Sequence, residues 1–378
     1  MKPLLRCNFL FLLLVMPALV LAQALQPPQV VGRAWVIADV SSGQILASEK
    51  ADERFEPASL TKLMTAYLVF AALREKKLAL DQQADVSERA WRAPGSRMFI
   101  EPKKPVSVDE LIRGMIVQSG NDACIALAEK IAGSEEAFGA MMNREAERLG
   151  MKNTRYRNSS GLPDPQHYST ARDIYLLATA LVRDFPGEYA QYYSQREYRY
   201  NGITQANRNR LLWLDNTVDG MKTGFTEAAG YCLVASSKRG PRRLLSVLLG
   251  STSETARAQE SQKLLNWGFQ FFDAVRLYAA DAAVKEIEVW KGTRGTLKAG
   301  FRGDLVVTVP KGQGEKLKAE LLSHSPLVAP VAVGARVGNL RVTLDGKPLG
   351  EYPVVALEDV PAGGIFVRAW DTLRLWFR

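Results

Sequence analysis

Cysteine and histidine are the scarce residues of this 378-residue chain, which has three of the first and two of the second. Cys7 falls in an N-terminal leader described below, so Cys124 and Cys232 remain, and two cysteines make no disulfide framework. Both sit in apolar surroundings and read as buried thiols. His167, in "PDPQHYSTARD", reads as a structural loop residue and His324 as an ordinary surface one; no metal or other cofactor is expected. Basic runs of the nucleic-acid-binding type are also absent, so no nucleic-acid partner is expected despite a formal charge of +9.

The long apolar run, Phe9 to Leu21, follows Lys2 and Arg6, contains Pro17 and precedes the small residues Ala22 and Ala24. It is short for a membrane span and has the layout of a secretory signal peptide, cleaved after Ala22 or Ala24. Removing it takes away two positive charges, leaving +7 from +9. In an exported protein that balance suits an anionic membrane face or an acidic cell-wall polymer. Hydrophobic content of 47% and charged content of 24% are ordinary for a globular protein, and the length suggests at least two domains.

"RAWVIADVSSGQILASEK" reads as a hairpin turning at Ser41-Ser42-Gly43. A helix beginning near Ser59 follows, with Leu60, Leu63, Met64, Tyr67, Leu68 and Ala71 at helical spacing. From about Val108 to Arg183 the pattern is largely helical. Strands return near Ala229 as "GYCLVASS" and "RLLSVLLGS" around the turn Lys238-Arg239-Gly240-Pro241, and a helix from about Thr255 to Val275 closes the unit. The reading is one α/β unit whose sheet comes from both ends of its chain, with a helical insert. From about Arg276 short alternating runs separated by Gly and Pro describe a small all-β domain. In "IFVRAWDTLRLWFR", Phe366, Ala369, Trp370, Leu373 and Phe377 share one helical face while Arg368, Asp371, Arg374 and Arg378 lie mostly opposite, with Leu375 intruding. Roughly 20 Å of helix cannot span a bilayer but suits its interface.

Three short motifs carry the chemistry. Ser59-Leu60-Thr61-Lys62 opens a helix, Ser119-Gly120-Asn121 joins two helices, and Lys222-Thr223-Gly224 precedes a strand. Alone, each has a bland reading as a cap, a solvated charge or a turn. In this order, S-x-x-K, S-x-N and K-T-G are the signature of active-site serine penicillin-binding proteins and β-lactamases. "ASLTK", "LIRGMIVQSGNDAC", "NGITQANRNRLLW", "VDGMKTGFTEAAGYCLVAS" and "KLLNWGFQFF" resemble the type-5 D-alanyl-D-alanine carboxypeptidases, the low-molecular-weight penicillin-binding proteins of the bacterial envelope, over nearly the whole chain.

The resemblance implies a signal peptide at residues 1–24, a β-lactamase-type catalytic domain at 25–275 (antiparallel sheet flanked by helices, with a helical subdomain), a β-rich domain at 276–363 and an amphipathic membrane-surface helix at 364–378. It implies removal of the terminal D-alanine from peptidoglycan pentapeptide through an acyl-enzyme, covalent inhibition by β-lactams, and residence on the periplasmic face of the inner membrane.

A serine hydroxyl attacks only with a base. For Ser59 that base is Lys62, if burial and a neighbouring cation, Lys222, keep it uncharged. Ser119 would relay the proton to the leaving amine and Asn121 orient Lys62 and the substrate amide. The backbone N–H groups of Ser59 and Phe225 would form the oxyanion hole. Thr223 and Gly224 occupy the family's substrate-pairing strand edge, Arg257 the position facing the substrate carboxylate, and Arg208 a second basic position near the site. Phe225 stands where relatives often carry histidine, which leaves a backbone donor but removes any polar side-chain role. A serine β-lactamase is the nearest alternative, and a non-catalytic envelope scaffold a further one. From Arg148 to Gly187, however, there is no glutamate of the kind class A lactamases use against the acyl-enzyme, and the serine, both lysines and Asn121 of the signature are intact.

Overall fold

The structure is a computed structural model that describes residues 26–376. The expected signal peptide lies outside the described residues, as do Phe377 and Arg378. The chain divides into two compact units, one up to Gln270 and one from Phe271.

In the first unit, β1 (Ala34–Asp39) pairs with β2 (Gln44–Glu49), and the sheet is completed by β3 (Val218–Thr226), β4 (Gly230–Arg239) and β5 (Arg242–Ser251) in the order β2-β1-β5-β4-β3. Every pairing is antiparallel, as expected. β1 is buried along its whole length because helices cover both faces of the sheet. Helix α5 (Ala171–Asp184) packs on β1 and β5 from one side. Helix α6 (Glu254–Phe271) lies on the other, so close that a Cβ at Gly268 would sit 2.7 Å from Leu244 Cδ1.

The helical insert is α1 (Lys62–Arg74), α2 (Val108–Val117), α3 (Asn121–Ala132) and α4 (Glu135–Arg148). Local chemistry sets their limits. Ser107 and Glu110 form a reciprocal capping box at α2, and Ser134 and Thr170 cap α4 and α5. Gly133, in the left-handed region, ends α3. The stripe read along α1 is buried up to Leu68 and half-buried at Ala71, but Thr65, Ala66, Val69 and Phe70 between its members are buried too; α1 is a central helix enclosed nearly all round. The chain enters it through a 3₁₀ turn, Ala58–Thr61, which carries Ser59.

The last helix of this unit stops at Phe271 rather than Val275, where Phe272–Tyr278 (β6) pairs antiparallel with Leu305–Pro310 (β9). No breaker separates helix from strand, and a short apolar run does not distinguish the two. The second unit continues with β7 (Ala283–Trp290), β8 (Thr296–Gly300), β10 (Leu317–Ser323), β11 (Leu327–Val328), β12 (Arg336–Leu344) and β13 (Lys347–Ala356). These six form a sheet in the order β10-β12-β13-β8-β7-β11. Helix α7 (Ile365–Trp376) follows; none of its residues is buried.

Candidate active site

The turn carrying Ser59 is held between two pieces of backbone that approach it too closely for a side chain. A Cβ at Gly161, whose φ is +88°, would lie 1.8 Å from Ala58 O. A Cβ at Gly224 would meet Pro57 O at 3.2 Å and Ala58 Cβ at 3.3 Å. Glycine is therefore needed in the loop 158–163, and at the K-T-G strand edge a side chain would have to push the turn aside by a few tenths of an ångström. A third fastening comes from His167. Its Nδ1 accepts from Arg157 N at 3.3 Å, so Nε2 bears the proton and donates to Thr61 Oγ1 at 2.9 Å. Burial pulls its pKa down to about 4, consistent with the structural role read for it.

Lys62, the first residue of α1, is buried and points at three oxygens. Its Nζ lies 2.9 Å from Ser59 Oγ, 2.7 Å from Asn121 Oδ1 and 2.7 Å from Ser160 O. A charged amine fills all three with its three protons. An uncharged one keeps the bonds to Asn121 and Ser160 and presents its lone pair to the Ser59 hydroxyl. Burial is the largest influence on its pKa, which falls to about 8; Arg208 pushes the same way, while Cys124, Asp122 and Glu135 oppose. Lys222 is buried too, with Nζ donating to Thr223 O at 3.0 Å, and is held well below the usual lysine range by burial first and by the charge of Lys62 second. Arg208 adds its positive charge to the surroundings of both lysines, a cation beyond the Lys222 of the sequence expectation.

Asn121 is fixed in turn by donating from Nδ2 to Pro94 O at 2.6 Å. Behind it the Asp122 carboxylate accepts from the backbone N–H groups of Met98, Phe99 and Ile100 at 3.0, 2.8 and 3.3 Å. That ties the 95–100 loop to the start of α3, next to Ser119, whose φ is +61°.

All ten candidate residues gather in one place. Ser59, Ser119, Asn121, Thr223, Gly224, Phe225, Arg208 and Arg257 line a single cavity of about 410 Å³, and the two lysines are joined to it through Ser59 and Thr223. Arg257 is buried at its wall on long contacts: 3.4 Å to Gly224 O, 3.4 Å to Arg208 O and 3.3 Å to Glu254 Oε1. A buried guanidinium held only by long contacts is able to receive an anion. Arg208 is exposed at the rim. Cys124 and Cys232 are free, buried thiols, with Cys124 pushed up to about 12 by burial.

Sequence reasoning missed Ser160, Asp122 and Tyr231. Ser160 contributes a carbonyl oxygen, which any residue type would supply. Asp122 was legible in principle, as a carboxylate in the first turn of a helix beside a motif. Tyr231 lines the cavity across from Phe225.

This cavity unites a serine, a lysine poised between charge states and an anion receptor. The sequence profile of the D-alanyl-D-alanine carboxypeptidases, peptidase family S11, matches residues 21–253, and that of the penicillin-binding protein 5 C-terminal domain matches 272–362. The chain belongs to the D-alanyl-D-alanine carboxypeptidase family. It is 44% identical to D-alanyl-D-alanine carboxypeptidase DacC of Escherichia coli K12, over 97% of this chain and 94% of that one. Identity to DacF of Bacillus subtilis is 34%, over 90% and 89%. The crystal structure of penicillin-binding protein 5 from Haemophilus influenzae superposes with a TM-score of 0.84 at 40% identity, over 89% of this chain and 99% of that one. Penicillin-binding protein D2 of Listeria monocytogenes, solved in an ampicillin-bound form, matches at a TM-score of 0.60 and 32% identity, over 65% and 100%. A family member of this kind is a hydrolase of the cell envelope.

Proposed function

We propose that the chain is a serine-type carboxypeptidase that removes the terminal D-alanine from peptidoglycan pentapeptide, with Ser59 as nucleophile. One observation carries this reading: buried Lys62 Nζ, anchored by Asn121 and Ser160, lies 2.9 Å from the Oγ of Ser59, which lines the cavity that also holds Arg257.

Uncharged Lys62 takes the Ser59 proton as Oγ adds to the scissile carbonyl. The resulting oxyanion is met by the N–H groups of Ser59 and Phe225, a donor of this kind being worth roughly 3 kcal/mol. Ser119 relays that proton from Lys62 to the departing amine, so that D-alanine leaves and Lys62 is uncharged again. Asn121 holds the substrate amide, Gly224 offers strand edge to its backbone, and Arg257 with Thr223 holds the terminal carboxylate, which selects a chain end over an internal bond. Arg208 adds positive potential at the rim. Water then adds to the acyl-enzyme, its proton going to Lys62 and from there to Ser59 Oγ as the acyl group leaves, which releases the shortened peptide and restores the free serine. A β-lactam acylates Ser59 by the same first step.

In this reading residues 1–24 direct export, the first unit is the catalytic domain, and α7 rests on the periplasmic face of the inner membrane. Support for the last point is the exposure of Phe366, Trp370 and Trp376 on a helix that the second unit holds by its polar side, through Asp371 Oδ2 to Lys291 N at 2.6 Å and Arg374 over the Trp290 ring. Among the described residues no helix is long and apolar enough to cross a membrane.

The test is mass spectrometry of a D-Ala-D-Ala pentapeptide after incubation. Loss of one alanine, abolished together with fluorescent-penicillin labelling by Ser59→Ala, is expected. An intact peptide beside well-folded protein would overturn the reading.

A further inference from the structure

The geometry points to a subsite for the side chain of the released residue: an apolar wall of Phe225 on Tyr231, fitted to peptides whose last residue is an apolar D-amino acid larger than alanine. The inference rests on the carboxypeptidase reading above and concerns the same cavity.

Alternation along β3 puts Thr223 and Phe225 on one face, with Gly224 on the other. A carboxylate held between Thr223 and Arg257 therefore has the Phe225 ring as its neighbour along the strand. Phe225 is 50% exposed, and it lines the cavity instead of filling the core. It is also fixed. Tyr231 is its direct partner on β4, and the two rings lie 4.4 Å apart between centroids. The Arg257 guanidinium sits 5.5 Å from the same Tyr231 ring. Arg257, Tyr231 and Phe225 thus form one continuous surface, cationic at one end and apolar at the other.

A residue whose carboxylate reaches the cationic end must lay its side chain toward the apolar end. An isolated exposed phenylalanine is ordinary on a protein surface; this one is rigidly placed beside the anion receptor in a concave site. A methyl group covers little of the ring, whereas a leucine-sized side chain covers much more. Glu254, exposed at the same wall and 3.3 Å from Arg257, turns away an acidic side chain.

The experiment compares kcat/KM for two peptides with a common acyl part, one ending in D-Ala-D-Ala and the other in D-Ala-D-Leu. Rates are normalised to the fraction of enzyme that a fluorescent penicillin labels, which removes misfolded protein from the comparison. The wild-type enzyme should cleave the D-Leu peptide at least as well as the D-Ala peptide. Phe225→Ala should lower the D-Leu to D-Ala ratio about tenfold, equivalent to about 1.4 kcal/mol, and Phe225→Leu should restore most of it. An unchanged ratio in Phe225→Ala, or wild-type rejection of D-Leu by a hundredfold, overturns the subsite while leaving the carboxypeptidase intact. Cleavage of neither peptide overturns the reading it rests on, and the subsite with it.

Discussion

Lys62, Lys222 and Arg257 are 1%, 3% and 2% exposed, whereas Ile365, Phe366 and Trp376 in the last helix are 81%, 91% and 84% exposed. Both regions invert the ordinary partition of charge outside and hydrocarbon inside. They do so in different ways. In the cleft the charges are only partly answered: among the described residues Lys62 Nζ bonds to uncharged oxygens alone, and Arg257 meets one exposed carboxylate, Glu254, at 3.3 Å. In α7 the polar side is tied to its own unit and the apolar side is left open. A buried charge only partly answered is prepared for a substrate, and an open apolar face on a tethered helix is prepared for a surface.

The comparison breaks first at Lys62. Lys62→Ala should slow acylation by a fluorescent penicillin by about a thousandfold or more without unfolding the protein, since a general base is lost and a small side chain remains. A normal acylation rate in that variant would mean that the buried amine is merely structural. Arg257→Ala should cost about a hundredfold in kcat/KM for the pentapeptide, the scale of a charge-assisted bond to a carboxylate. Peptide mass spectrometry over a concentration series reads that loss.

Lys62 with a pKa of about 8 also sets a pH profile. The uncharged amine is the active form, so acylation should rise about tenfold from pH 7 to pH 9 and then level off. A rate that falls over this interval would give the base role to another group.

The other half of the comparison predicts a change of place without a change of chemistry. Deleting residues 365–378 should release the protein from sedimenting membranes, with the acylation rate unchanged. Replacing one exposed ring, Trp376→Ser, should weaken membrane retention only severalfold, because the remaining apolar residues still insert. Full retention of the deletion variant would show that another part of the chain holds it to membranes.

Much of the site was legible because its motifs announce their own local structure. Ser59 and Lys62 are one turn apart at the entry to a helix, Ser119 to Asn121 bridge two helices, and Lys222 to Gly224 lie on a strand. Each motif stays local, and the fold brings the three together. What stayed hidden was backbone or paired. The Ser160 carbonyl has no residue-type signal, and Tyr231 acquires meaning only when register sets it opposite Phe225. That Arg208 adds its charge near both lysines depends on three-dimensional distance, which neither spacing nor order reveals. In the fold, the strand Phe272–Tyr278 was hidden because the hydrophobic pattern of the preceding helix runs into it without a stop.

Gly161 leaves Ala58 O no room for even one methyl group. The loop that brings the third oxygen to Lys62 and the turn that carries Ser59 are thus seated backbone on backbone, like a key in its ward. Any side chain at position 161 would dislodge nucleophile and amine anchor together, so one small methyl there should silence the centre.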